Sequence, residues 1–174
     1  KLKPNLGFFG MLDCQAAILE NAIARYAATG EIPGPLGAAH ASIAPFAALA
    51  THDSHIVIAA GTDALFARVA RALGREELAR DPRFLTNDLR VTNWPALKGE
   101  MEKALAKRTT KEWLGLLDAE GVPSAPINNV AQMMADPQII ARNMIVTAED
   151  PDIGPLKMQG NPIKLSVQAD PATR

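Results

Sequence analysis

The fold class the sequence predicts is α/β, or α+β if the chain is taken by itself, with helices surrounding a few short strands. Three observations carry this. Apolar residues recur at helical spacing over several separate stretches. Two short apolar runs, Phe46 to Ala50 and Ile56 to Ala60, flank the polar cluster Thr51-His52-Asp53-Ser54-His55, which is a hairpin signal. Hydrophobic residues make up 48% of the 174 residues, enough for the core of one domain, or of one domain with an appendage.

From Met11 to about Ala28 the positions Leu12, Gln15 to Leu19, Ala22, Ile23 and Tyr26 recur at helical spacing and predict one helix, with Glu20, Asn21 and Arg25 opposite. Gly30 lies just past its end, where a left-handed cap is expected. Glu31 to Ser42 contains Pro33, Gly34, Pro35 and Gly37 and is a loop. After the hairpin, Thr62 caps a helix to Leu73 that turns Leu65, Phe66, Val69, Ala70 and Leu73 to one side, and Gly74 ends it. Asp81 before Pro82 predicts another helical start. Trp94 to Lys107 is amphipathic. Thr109 with Glu112 forms a capping box opening a helix that Gly121 and Pro123 close. Ala125 to Asn128 reads as a strand, and Val130 to Ala135 and Pro137 to Arg142 as short helices broken at Asp136-Pro137. From Ile145 to Val167, two apolar stretches split at Asp150-Pro151-Asp152-Ile153-Gly154-Pro155 read as an extended ribbon.

A net charge of −1 provides no basic footprint for nucleic acid or an anionic membrane surface. No apolar run approaches the roughly 20 residues that span a bilayer. One cysteine excludes an internal disulfide framework and is compatible with a reducing compartment. The start Lys1-Leu2-Lys3-Pro4 has neither an initiator Met nor a signal-peptide pattern, and reads as a cut or processed chain. The expectation is a cytoplasmic protein acting on something small, with no nucleic acid or membrane partner.

Few residues offer chemistry of their own. His52 and His55 flank a turn rather than share a helix face, and no Cys or carboxylate cluster completes a metal site around them, so no metal is expected. Cys14, among apolar helix neighbours, reads as a buried, inert thiol. The loop from Pro33 to Pro45 lacks the glycine spacing that wraps a phosphate. Its length, with His40 and Ser42, makes it a candidate wall of a site. Asp63 follows a strand end at the start of a helix, where free amides stabilise an anion. It reads either as a first-turn acid or as a site carboxylate. Nothing supplies a Ser-His-Asp set, a zinc motif or a dinucleotide fingerprint.

An ordered series of short signatures runs almost end to end. It comprises Met11-Leu12-Asp13-Cys14, Ala28-Thr29-Gly30-Glu31, Ala44-Pro45-Phe46 and Ala59-Ala60-Gly61-Thr62-Asp63. It continues through Asp81-Pro82-Arg83-Phe84, Thr86-Asn87, Arg90, Glu112-Trp113, Gly121-Val122-Pro123 and Ala125-Pro126. Asp136-Pro137-Gln138, Ala141-Arg142 and Gly160-Asn161-Pro162-Ile163-Lys164 complete it. In order and spacing the series resembles the C-terminal half of the class III CoA-transferase (CaiB/BaiF) family, small domain included. Formyl-CoA transferase, carnitine CoA-transferase and α-methylacyl-CoA racemase are members of that family.

The resemblance implies protomers like open rings that interlock as a homodimer, with a Rossmann-like large domain binding most of the coenzyme A. It divides this chain into a linking helix (1–30), a small α/β domain (31–130) and a return segment toward the large domain (131–174). It implies an enzyme that moves coenzyme A between carboxylic acids through covalent aspartyl intermediates, with an acyl-CoA thioester and a carboxylate as substrates and no tightly bound cofactor. The family nucleophile lies upstream of the helix that starts here near Met11, so Asp13 is not it. The motif before that Met is altered here to Leu6-Gly7-Phe8-Phe9-Gly10, and the family's closing Leu-Gly-Glu/Gln-His motif does not follow Ser166. The expectation is therefore a fragment, inactive alone, whose nucleophilic Asp lies in the missing half.

Met11 matches a residue near the bound thioester. Asp63 matches the place of a Glu that, in the racemase branch, enters the partner subunit's active site. His40 and Ser42 match a glycine-rich lid in place, without its consecutive glycines. Two alternatives stay open: an α-methylacyl-CoA racemase or epimerase, and a non-catalytic dimerising domain.

Overall fold

The computed structural model describes residues 10–164, 166 and 170. The altered motif at Leu6 to Phe9 and the expected ribbon end at Val167 lie outside these residues. Helices and small antiparallel sheets make up an α+β architecture, and the chain divides into two units, Lys1–Ala41 and Ser42–Arg174.

In the first unit the expected single helix is two, α1 (Met11–Ala17) and α2 (Glu20–Thr29). Neither glycine nor proline separates them. Leu19 N–H bonds the Ala16 carbonyl at 3.1 Å, tightening the turn. No residue of α1 or α2 is buried, so no tertiary packing among the described residues favours one continuous helix. The same fact corrects the reading of Cys14, whose thiol is exposed. Gly30 ends α2 as expected, at φ 73° with its N–H on the Tyr26 carbonyl. No helix or strand forms from Glu31 to Ser42.

The second unit is built on the hairpin β1 (Phe46–Ala50) and β2 (His55–Ala59), with β3 (Ser124–Pro126) pairing antiparallel on the far side of β2. Alternation along the pleat sends Ala47, Leu49, Ile56 and Ile58 inward. Three helices supply the opposing apolar side chains. They are α3 (Asp63–Ala72) with Phe66 and Val69, α5 (Trp94–Leu105) with Leu97, Met101 and Leu105, and α6 (Thr110–Ala119) with Trp113 and Leu117. The Trp113 indole N–H donates to the buried Leu105 carbonyl at 2.7 Å. Thr62 caps α3, and the Thr109–Glu112 capping box opens α6. The rest of the unit is α7 (Val130–Met134), α8 (Pro137–Ala141) and the ribbon of β4 (Ile145–Asp150) with β5 (Gly154–Gln159).

Asp81-Pro82 does not start a helix. Asp81 instead closes a turn: it accepts the Arg83 N–H at 2.9 Å, pairs with the Arg83 guanidinium, and its carbonyl accepts the Phe84 N–H. The turn drives Phe84 fully into the core. The helix starts later, as α4 (Asn87–Thr92), where the Thr86 hydroxyl caps the Leu89 N–H.

The tip of the β1–β2 hairpin is tied to the start of α6 through Asp53. One carboxylate oxygen accepts the Thr110 N–H at 2.7 Å, the Thr110 hydroxyl at 3.0 Å and the Thr51 hydroxyl at 3.2 Å. The Thr110 N–H, aided by the two hydroxyls, holds this carboxyl below its ordinary value. A depressed native value stabilises the fold above the unfolded value of 3.8, and that stabilisation is lost as pH falls through the native value. We expect Asp53→Asn to unfold more readily than wild type at neutral pH, with the difference shrinking from about pH 5 downward. Denaturant midpoints measured across pH check this. A gap independent of pH would show that the carboxylate charge is not what ties the hairpin to α6.

Candidate functional site

Residues 42–44, just before β1, lie beside α4 and are paired to it by side chains rather than by a neighbouring strand. The Asn87 amide donates to the Ser42 carbonyl at 2.8 Å, and its oxygen accepts the Ala44 N–H at 3.1 Å. Three residues on, the same side of α4 presents Arg90, whose Nε donates to the Ala44 carbonyl at 2.7 Å. The chain then passes Pro45, whose carbonyl accepts the Ala60 N–H, and enters β1. Gly61 is close to this segment: a Cβ there would stand 3.0 Å from the Ile43 side chain, tight enough that Ile43 would have to give slightly.

Arg90 is fully buried. Besides the Ala44 carbonyl it donates from Nη1 to the Phe84 carbonyl at 3.0 Å and from Nη2 to Asp63 Oδ1 at 2.8 Å. Its guanidinium lies 4.7 Å from the centre of the Phe66 ring. Asp63, in the first turn of α3, keeps 65% of its side chain exposed while anchoring to this buried cation. One guanidinium thus gathers Ala44-Pro45-Phe46, Gly61-Thr62-Asp63 and Asp81-Pro82-Arg83-Phe84, signatures spread over some forty residues of sequence, around Thr86-Asn87 and its own position.

Of the expected site residues, Asp63 and Ser42 belong to this cluster, the first through Arg90 and the second through Asn87. Met11 and His40 belong to the first unit, Met11 exposed on α1 and His40 half-buried within the loop. The residues that sequence reasoning passed over are Asn87 and Arg90, which it placed in the signature series without a role. The available signal was their spacing, three apart behind a capping Thr86, with Arg90 set between Leu89 and Val91. A separate depression of about 440 Å³ lies between α6 and β3, lined by Leu114, Gly115, Asp118, Val122, Pro123 and Ser124, and includes no residue of the Arg90 cluster. Among the described residues no group of three His, Cys, Asp or Glu is placed to hold a metal ion. No helix among them is long and apolar enough to cross a membrane.

Comparison with known proteins matches residues 9–173 to the family model of CoA-transferase family III. The chain is 39% identical over 164 residues to an acetyl-CoA:oxalate CoA-transferase of Acetobacter aceti, covering 94% of this chain and 41% of that protein. It is 32% identical over 169 residues to the succinyl-CoA:glutarate CoA-transferase of Homo sapiens, covering 95% of this chain and 39% of that protein. Among solved structures, a CAIB/BAIF family protein from Brucella suis superposes with a TM-score of 0.74 at 40% identity, over 91% of this chain and 40% of that one. The chain spans about two-fifths of the length of these relatives.

Proposed function

Because the chain belongs to CoA-transferase family III, we propose that it forms part of an enzyme moving coenzyme A from an acyl-CoA thioester to a free carboxylic acid. The observation that carries this is the family match across nearly the whole chain, together with relatives whose names pair acetyl-CoA with oxalate and succinyl-CoA with glutarate. Those names favour a short acyl donor and a dicarboxylate acceptor. An aspartate outside these 174 residues attacks the thioester carbonyl, forming a mixed anhydride and releasing the CoA thiolate. The thiolate then attacks the aspartyl carbonyl, expelling the first acid and leaving an aspartyl-CoA thioester. The acceptor carboxylate repeats the two steps in reverse order and regenerates the aspartate.

In this reading Asp63 is a supporting polar group at the acyl end of the pocket, Met11 lies near the thioester, and His40 and Ser42 border the same region. Residues 1–30 link to the large domain, 31–130 form the small domain and 131–174 return. The enzyme works as a cytoplasmic homodimer and needs no tightly bound cofactor. The test is acyl exchange from succinyl-CoA or acetyl-CoA to oxalate and glutarate. The complete protein should catalyse it, the 174-residue chain should not, and Asp63→Ala in the complete protein should lower kcat about tenfold or more. Exchange at the wild-type rate in Asp63→Ala would remove Asp63 from the site. Exchange of a substrate α-proton with no carboxylate exchange would replace the transferase reading with a racemase.

A further inference from the structure

We infer that Arg90 is the positioning residue for Asp63, fixing where that carboxylate points and tying its position to the path of residues 42–44. The inference rests on the reading of Asp63 as a supporting polar group of the pocket and names the group through which it works. A carboxylate in the first turn of a helix, 65% exposed, would ordinarily sample several rotamers. Here Oδ1 is bound to Nη2 of a guanidinium that is itself anchored by other partners. Its Nε is fixed on the Ala44 carbonyl, its Nη1 on the Phe84 carbonyl, and its plane lies by the Phe66 ring. Oδ2 has no hydrogen-bond partner among the described residues, and with 65% of the side chain exposed the carboxylate is accessible to a donor that approaches.

The geometry requires arginine. A planar fork with five N–H donors can serve two carbonyls and a carboxylate in different directions, whereas an ammonium on a flexible stem meets them as a single point. Because Ala44 and Asp63 share this one group, a shift of residues 42–44 moves the Asp63 carboxylate as well.

The experiment is a double-mutant cycle in the complete protein with Arg90→Lys and Asp63→Asn, measuring kcat and KM per folded enzyme for exchange from succinyl-CoA to glutarate. Arg90→Lys should lower kcat about tenfold with KM for the thioester changed less than about twofold, since a displacement of an ångström suffices for such a loss. In an Asp63→Asn background the same change should cost almost nothing further. A purely structural arginine would reduce the folded fraction and leave kcat per folded enzyme intact. That result, or losses that multiply, overturns the inference. Asp63→Asn with wild-type kcat defeats the reading of Asp63 and this inference with it. Impaired Asp63→Asn beside a normal Arg90→Lys defeats this inference alone.

Should Arg90→Lys not fold, the guanidinium ¹⁵N–¹H resonances of wild-type Arg90 and of Asp63→Ala decide. The Nη2 signals should shift and exchange faster without Asp63, and unchanged signals overturn the assignment.

Discussion

Replacing Arg90 by alanine should lower the unfolding free energy of the Ser42–Arg174 unit by about 4 kcal/mol, because two buried carbonyls lose their donor at about 1–3 kcal/mol each. The carbonyls are those of Ala44 and Phe84, residues that are 3% and 0% exposed, so water does not readily take the place of the guanidinium. The emptied volume next to Phe66 adds a cavity cost of its own. The ion pair joins a fully buried guanidinium to a carboxylate that is 65% exposed, so solvent on the carboxylate side screens it and it contributes less than a pair buried on both sides would. Asp63→Ala should therefore destabilise far less than Arg90→Ala, with water replacing the carboxylate at Nη2. Urea unfolding of both variants, with comparable slopes, measures the difference. A loss below about 1 kcal/mol for Arg90→Ala would mean that the two carbonyls find other donors and that the guanidinium is not what satisfies them.

Gly160→Ala should release the ribbon from the segment before it. A Cβ built at Gly160 falls 1.9 Å from the Asn143 carbonyl oxygen and 2.9 Å from two further backbone atoms, none of which belongs to a side chain that could swing away. Gly160 is buried, and its N–H donates to the Met144 carbonyl at 2.8 Å, so the contact is a backbone crossing held by a hydrogen bond. Asn143 meets it at φ 48°, a left-handed conformation suited to an asparagine. Inserting a methyl group at this crossing costs at least the 1–3 kcal/mol of an overpacked core, about the upper end because only backbone can yield. The expected result is a lower melting temperature and loss of amide protection at Gly160 and along β4 and β5, while the amides of β1 and β2 stay protected. Unchanged protection in the ribbon would contradict the crossing.

What could be read from sequence was local. The Thr62 and Thr109 caps, the β1–β2 hairpin and the split ribbon each depend on residues within a few positions of one another. The Asp81-Pro82 reading failed because proline at a first helical position is also proline in a turn, and the choice lay with the Arg83 pairing and the burial of Phe84. Cys14 was misread because periodicity reports an apolar stripe without reporting what covers it, and α1 has no buried residue. Arg90 stayed without a role for the plainest reason. Its partners Asp63 and Ala44 lie 27 and 46 residues away, and no spacing rule reaches so far. The signature series pointed to the right residues there, and packing supplied the reason.

The pairing of Asn87 and Arg90 with residues 42–44 also bears on how this chain coexists with others at high concentration. β1 is an outer strand of its sheet, and an unprotected outer strand templates intermolecular β-addition. At its far end the Ala50 N–H is taken by the Glu102 carboxylate of α5, 3.0 Å away, and at its approach the Ala44 N–H and carbonyl are taken by Asn87 and Arg90. Helical side chains thus occupy hydrogen-bonding positions that an incoming strand would need. The arrangement that anchors Asp63 also covers hydrogen-bonding groups at one end of the sheet margin, as Glu102 does at the other.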